Sequence, residues 1–314
     1  MDDRQRATPV ILDTDIGWDI DDTWALVMLL NSPELDVKLI LTATGDTPYR
    51  ARIVAKLLEI AGRTDIPLGI GLQQDSKSGP QAQWVAGYAL EQYPGQAERE
   101  GVRALVDVIM RSPEPVTLIS IAPLPNIAAA LAMEPRIAER ARFIGMHGSL
   151  WRGYGHSADP SVEYNVQMDV AACRMVFAAP WGITLTPLDT CGRISLREDK
   201  YQKVRDCPTP LARALMENVR TWARHINPDW LHDLDVEAQS STLFDTVAVY
   251  LALSEAWLVM EKLGIRITDE GRTVIDVRAR PVSCATDWKD LGAFEDLLVA
   301  RLTAAPHRPG RAPS

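Results

Sequence analysis

Five aspartates, Asp13, Asp15, Asp19, Asp21 and Asp22, fall between the apolar run Val10-Ile11-Leu12 and the apolar stretch 23–30. Carboxylates at this density repel one another, and a shared cation relieves the repulsion. Oxygen-only donors select a hard ion, Ca²⁺ or Mg²⁺. Capping of the next helix accounts for Asp21 or Asp22, because carboxylates at a helix N-terminus accept its free N–H groups and complement its dipole. Capping leaves Asp13, Asp15 and Asp19 unexplained.

Three later segments carry compatible groups. Pro125 follows the apolar run 116–121; it has no N–H, and its carbonyl is free to turn toward a cation. Glu163 and Asn165 are two residues apart, so in an extended chain they point the same way and suit the hydroxyls of one sugar. Asp245 opens an apolar helix, a position that fits a helix cap as well as a metal ligand.

Positioning these groups requires strands that end at a common edge. Residues 10–12, 38–42, 66–70, 116–121, 143–146 and 183–186 read as strands, and helical patterns at 23–30, 49–61, 102–111, 126–133 and 170–179 alternate with them. The alternation predicts an α/β fold: an open, mostly parallel, Rossmann-like sheet flanked by helices. In such sheets ligands bind at the carboxyl ends of the strands, where the acidic loop would lie. From about Lys200 helical patterns dominate, and this part is expected to roof the site with a Trp- and His-bearing stretch at 222–232. We expect a single domain over 1–304 and a disordered Pro- and Arg-rich tail at 305–314.

The net charge of −9 argues against nucleic acid or an anionic membrane as partner and favours a small neutral substrate. Cys173, Cys191, Cys207 and Cys284 are scattered, which points to reduced thiols and away from a zinc site. Residues 1–6 lack the apolar core of a signal peptide, and a cytoplasmic protein is expected. The stretch Gly69-Ile70-Gly71-Leu72-Gln73-Gln74 lacks the third glycine of a dinucleotide fingerprint, and no P-loop pattern occurs.

Taken in order, these segments resemble the calcium-dependent nucleoside N-ribohydrolases, the inosine-uridine nucleoside hydrolase family, over nearly the whole chain. The family's opening DxDxGxDD loop looks like Asp13-Thr14-Asp15-Ile16-Gly17 followed by a longer route to Asp21-Asp22. Its Leu-Thr-Asn-Ile turn looks like Leu124-Pro125-Asn126-Ile127, its Glu-Phe-Asn motif like Glu163-Tyr164-Asn165, and its late aspartate like Asp245. The resemblance implies a Ca²⁺ held by Asp15, Asp22, Asp245 and the Pro125 carbonyl. It implies Asp15 as general base, Glu163 and Asn165 on the ribose, and Asp13 and Asp21 behind the ligands. It also implies a homodimer or homotetramer.

Three positions depart from the family pattern. Asp46 stands where many members have asparagine near the ribose, and Ser157 stands where many have asparagine six residues before the glutamate. Phe244 occupies the position at which purine-hydrolysing members carry the histidine that protonates the departing base, and a phenyl ring donates no proton. His147, His156, Arg224, His225, His232 and Tyr250 are the alternative donors, and Trp84, Trp222 and Trp230 could stack on the base. Two rival readings remain at this level. One is a nucleoside- or sugar-binding relative without turnover. The other is a haloacid-dehalogenase-like phosphatase with Asp13 as nucleophile and Mg²⁺ as cofactor, for which no suitable lysine or later acidic pair follows.

Overall fold

The computed structural model describes residues 7–231 and 234–305. The expected tail, apart from Ala305, and His232 lie outside the described residues. The first part of the chain alternates as expected: β1 (Thr8–Thr14), α1 (Asp21–Leu30), β2 (Leu35–Thr42), α2 (Thr47–Ala61), β3 (Leu68–Ile70), β4 (Ala97–Glu98), α3 (Gly101–Arg111) and β5 (Val116–Ser120). It continues with α4 (Pro125–Met133), α5 (Ile137–Arg140), β6 (Ala141–Gly145), α6 (Tyr164–Met168), α7 (Val170–Ala178) and β7 (Ile183–Leu185). The remainder holds α8 (Leu188–Cys191), α9 (Glu198–Arg205), α10 (Pro210–His225), α11 (Pro228–Leu231) and α12 (Thr246–Leu253), then β8 (Leu258–Ile267), β9 (Thr273–Ile275), β10 (Pro281–Trp288) and α13 (Leu291–Thr303).

All strands join one sheet in the order β4-β3-β2-β1-β5-β6-β7-β10-β8-β9. The pairs from β4 to β10 are parallel, and β10–β8 and β8–β9 are antiparallel. The three C-terminal strands were not expected from the helical texture after Lys200. They extend the sheet by an antiparallel edge, so this part of the chain supplies sheet as well as helices. The chain leaves β1 toward β2, β3 and β4 and returns to β5 on the other side, which makes the β1/β5 gap the topological switch point. A crevice opens at such a point, outside the strand ends.

Each face of the sheet carries its own core. Helices α1, α2, α10, α12 and α13 pack around Leu12, Trp24, Ile53 and Phe294 on one side, and α3, α4 and α7 pack around Ile11, Leu118 and Phe143 on the other. Helix α1 is buried along its whole length, so its ends are fixed by packing on all sides. Helix α2 is bounded by local signals: Asp46 accepts the Tyr49 N–H, Pro48 sits in the first turn, and Gly62 ends the helix with φ 64°. Among the described residues no helix is long and apolar enough to cross a membrane.

One buried carboxylate braces the loop that follows β6. Asp189 accepts the N–H groups of Leu150, Trp151 and Arg152 at 2.9, 2.8 and 3.1 Å. Leaving a buried N–H unpaired costs about 1–3 kcal/mol. The loop's N–H groups are only partly buried, so Asp189→Ala is expected to destabilise the protein by about 1–3 kcal/mol, measured by urea denaturation.

Candidate active site

The acidic loop emerges from β1 at the switch point. Asp13 lies near the end of that strand, where its carboxylate receives Asn126 Nδ2 at 2.9 Å and Ser120 Oγ at 3.1 Å. Asn126 Nδ2 also donates to the Thr42 carbonyl, and its Oδ1 accepts the Leu72 N–H. One amide thus joins the ends of β1 and β2 and the segment after β3. Asn126→Ala is expected to cost about 2–3 kcal/mol in urea unfolding and to lower turnover by loosening Asp13.

The loop then turns at Gly17, whose φ of 114° is closed to ordinary side chains and where a Cβ would stand 2.8 Å from the Tyr49 ring. Tyr49 Oη donates to the Gly17 carbonyl at 2.9 Å. The chain enters α1 through Ile20 as N-cap, with no side-chain cap bond. Neither Asp21 nor Asp22 is the cap expected from sequence; both are in the first helical turn. Asp245 stands at the N-cap position of α12 without capping it. Its carboxylate faces Asp21 instead. Helices α1 and α12 touch, and both aim their N-termini at this point. Their dipoles favour negative charge there.

The outcome is a buried cluster in which Asp21, Asp22 and Asp245 each offer an oxygen, all within 4.8 Å of one another. Asp21, expected behind the ligands, lies among these oxygens. Thr14 Oγ1 donates to Asp22. Burial and mutual repulsion push Asp21, Asp22 and Asp245 well above the usual carboxylate range. Burial raises Asp15 to about 6, against the pull of Arg50, and Asp13 to about 7, against the bonds from Asn126 and Ser120. Asp19 is also raised by burial. Buried carboxylates so placed stay ionised together only beside a positive charge.

Arg50, to which sequence analysis assigned no role, is the cation the fold itself provides. It is buried, with Nε bonded to the Thr44 carbonyl at 2.9 Å and Nη1 to the Ile16 carbonyl at 2.8 Å. It therefore clamps the loops after β1 and β2 and lowers both Asp15 and Asp22. No pattern in the sequence marks it, since Arg52 two residues on is an equal match by type.

Across the crevice Glu163 is buried and caps α6. Its carboxylate accepts the N–H groups of Gly148 (2.9 Å), Asn165 (2.7 Å) and Val166 (3.1 Å). Burial raises it to about 7. Asn165 Nδ2 donates to the Met146 carbonyl at 3.1 Å, which fixes the amide. Pro125 is the first residue of α4, half-buried at the end of the β5 turn.

The remaining sequence expectations separate. Asp46 spends one oxygen on its cap bond, and Ser78 Oγ reaches the other at 3.4 Å. Ser157 is exposed, and its Oγ accepts the Asp159 N–H at 3.1 Å, so it serves a surface turn. Phe244 is half-buried with its ring edge-on to Tyr154, 5.8 Å between centroids. Trp84 is corrected: it is buried against α2 with Lys56 Nζ 4.0 Å above its ring, so it offers no face for stacking. Trp222 is buried too, and donates Nε1 to the Trp18 carbonyl at 3.1 Å. Tyr250 is stacked in the core on Trp257, 5.3 Å between centroids, and His147 is buried and held neutral, pushed down to about 3. Neither can reach a ligand as a proton donor. His156 and Arg224 are exposed.

Known proteins are similar to this chain in sequence and in fold. The model of the family described as inosine-uridine preferring nucleoside hydrolase matches residues 10–296. The pyrimidine-specific ribonucleoside hydrolase RihA of Enterobacter sp. (strain 638) is 30% identical over 324 residues, covering 94% of this chain and 98% of that protein. A plant nucleoside hydrolase, the PpNRh1 enzyme, superposes with a TM-score of 0.77 at 21% identity, over 95% of this chain and 99% of the other. A purine-preferring ribonucleoside hydrolase from Gardnerella vaginalis gives the same score and identity over 94% and 98%. At that identity the solved structures speak for the fold alone. The sequence match spans the acidic loop, the Pro125 turn, Glu163-Tyr164-Asn165 and Asp245, and by it the chain belongs to the inosine-uridine preferring nucleoside hydrolase family.

Proposed function

We propose that this protein hydrolyses the N-glycosidic bond of a ribonucleoside to free base and ribose, with Ca²⁺ as cofactor. The observation that carries the reading is the convergence of Asp21, Asp22 and Asp245 beside Asp15 at the switch point. Their oxygen-only donor set, and the burial and mutual repulsion that raise their proton affinity, fit a hard divalent ion. Asp15, Asp22, Asp245 and the Pro125 carbonyl are the proposed ligands, and the closeness of Asp21 to Asp22 and Asp245 adds it to them. When bound, such an ion supplies a fixed positive charge that acidifies water and orients sugar hydroxyls.

The side chains then divide the work. Cleavage builds positive charge on the ribose ring, an oxocarbenium-like transition state. The surrounding carboxylates favour that charge. Asp15, buried beside the cluster with Arg50 as its counter-charge, takes the proton of the attacking water. Glu163 and Asn165, held by the backbone bonds described above, align the sugar hydroxyls, so that binding is converted into orientation. Arg50 holds the two loops that carry Asp15 and Asp46 in register. Asp13 keeps the end of β1 fixed through Asn126.

The relatives' names divide over the base, one pyrimidine-specific and another purine-preferring. The reading therefore rests on the sugar half of the substrate. Its test is a panel of purine and pyrimidine ribonucleosides incubated with the protein and Ca²⁺, with base and reducing sugar measured together. Equal release of both from at least one member is expected. Binding of nucleosides without release from any would favour a binding relative, and phosphate release from phosphomonoesters with Mg²⁺ would favour the phosphatase reading.

A further inference from the structure

The proposed reaction lacks a donor for the departing base, because Phe244 has no proton to give. A cavity of about 520 Å³ lies directly against the acidic loop, lined by Trp18, Gly79, Gln83 and His225 among others. This is within the usual range for small-molecule sites. Both of its walls are hydrogen-bonded to the loop's own backbone. Gln81 Nε2 donates to the Asp19 carbonyl at 2.7 Å from the 78–83 side, and Trp222 Nε1 donates to the Trp18 carbonyl from α10. The cavity is therefore fixed relative to Asp15 and the cluster.

Its lining suits a planar heterocycle. Trp18 is 41% exposed although it sits between buried Gly17 and half-buried Asp19, so the indole is turned out of the fold. His225 is one helical turn beyond Trp222 on the same face of α10, which brings it to the same opening. His225 Nδ1 lies 2.7 Å from the Thr221 carbonyl. A carbonyl only accepts, so Nδ1 carries hydrogen and Nε2 is the nitrogen left for a ligand. None of the other donors weighed from sequence that fall among the described residues lines this cavity.

We propose that this cavity takes the nucleobase, with Trp18 stacked on its face and His225 as the acid that protonates the leaving nitrogen. The inference rests on the N-riboside hydrolase reading above and goes beyond it in naming the donor. In the step, the C1′–N bond breaks and its electron pair moves to the base, while the Nε2 proton of the His225 imidazolium passes to a base nitrogen. Water forms the new C1′–O bond and gives a proton to Asp15. His225 ends neutral and Asp15 protonated, and both are reset by exchange with solvent.

The test compares a ribonucleoside with p-nitrophenyl β-D-ribofuranoside, whose phenolate leaves without a proton. His225→Gln is expected to lower the ratio of kcat on the nucleoside to kcat on the activated riboside by about 10² to 10⁴. In His225→Gly, added imidazole is expected to restore the ratio in part. Trp18→Ala is expected to raise KM for the nucleoside at least several-fold, with Trp18→Phe between it and wild type. An unchanged ratio in His225→Gln would overturn the assignment of the acid and leave the hydrolase reading intact. A wild-type protein that cleaves neither compound would overturn both.

Discussion

Replacing Asp15 by asparagine is expected to lower kcat on a ribonucleoside by about 10² to 10⁴, the usual worth of a positioned general base. Asparagine keeps the shape of the side chain and can still offer one oxygen, but it cannot take a proton. The effect should therefore fall on kcat more than on KM, because the proton moves only as the transition state forms. Asp15 is poised for this role by opposing influences: burial raises it to about 6, and the Arg50 guanidinium restrains the rise. Steady-state kinetics with the substrate found in the panel measures it. A kcat within a factor of about three of wild type would remove Asp15 from the chemistry.

The second large effect is on stability. A cation bound at 100 times its Kd stabilises a protein by about 2.7 kcal/mol, so for a chain of 314 residues a chelator is expected to lower Tm by roughly 4 °C. The loss should depend on pH. Asp13, Asp15 and Glu163 have folded values of about 7, 6 and 7, above the unfolded range near 4. Their protonation thus supports the chelated fold fully below about pH 4, and that support is lost as pH rises through about 6 to 7. In chelator, Tm should fall between pH 5 and pH 8, and the gap to the Ca²⁺-loaded protein should widen over the same interval. Scanning calorimetry at three pH values checks this. A gap that narrows as pH rises would mean that the cluster is stabilised some other way.

Much of this architecture was legible because buried parallel strands leave continuous apolar runs. Strands β1, β3, β5, β6 and β7 lie within a residue or two of those runs, and β2 begins three residues before its own. The acidic loop stood out for the same reason, as carboxylates concentrated where apolar strand meets apolar helix. Strands β8–β10 did not stand out. Strand β8 carries Glu261, Lys262, Gly264 and Arg266 and is only partly covered, so its pattern resembles a solvated helix as much as an antiparallel edge strand.

Within the site, what sequence concealed was contact across elements. Trp84 and Trp18 are the same residue type, yet packing against Lys56 on α2 buries the first while the turn at Gly17 exposes the second. Arg50 becomes buried only because the loops after β1 and β2 both bring carbonyls to it. Asp21 joins the cluster because α1 and α12 pack together with their N-termini at one point, a placement that no local spacing encodes.

The most direct measurement is a titration of Ca²⁺ into chelator-stripped protein, following ribose release and heat of binding in the same preparation for wild type and Asp15→Asn. Release in wild type that rises from nothing with the binding curve, together with binding but almost no release in the variant, is the predicted result. Undiminished release in excess chelator, or equal release from both proteins, would contradict the account.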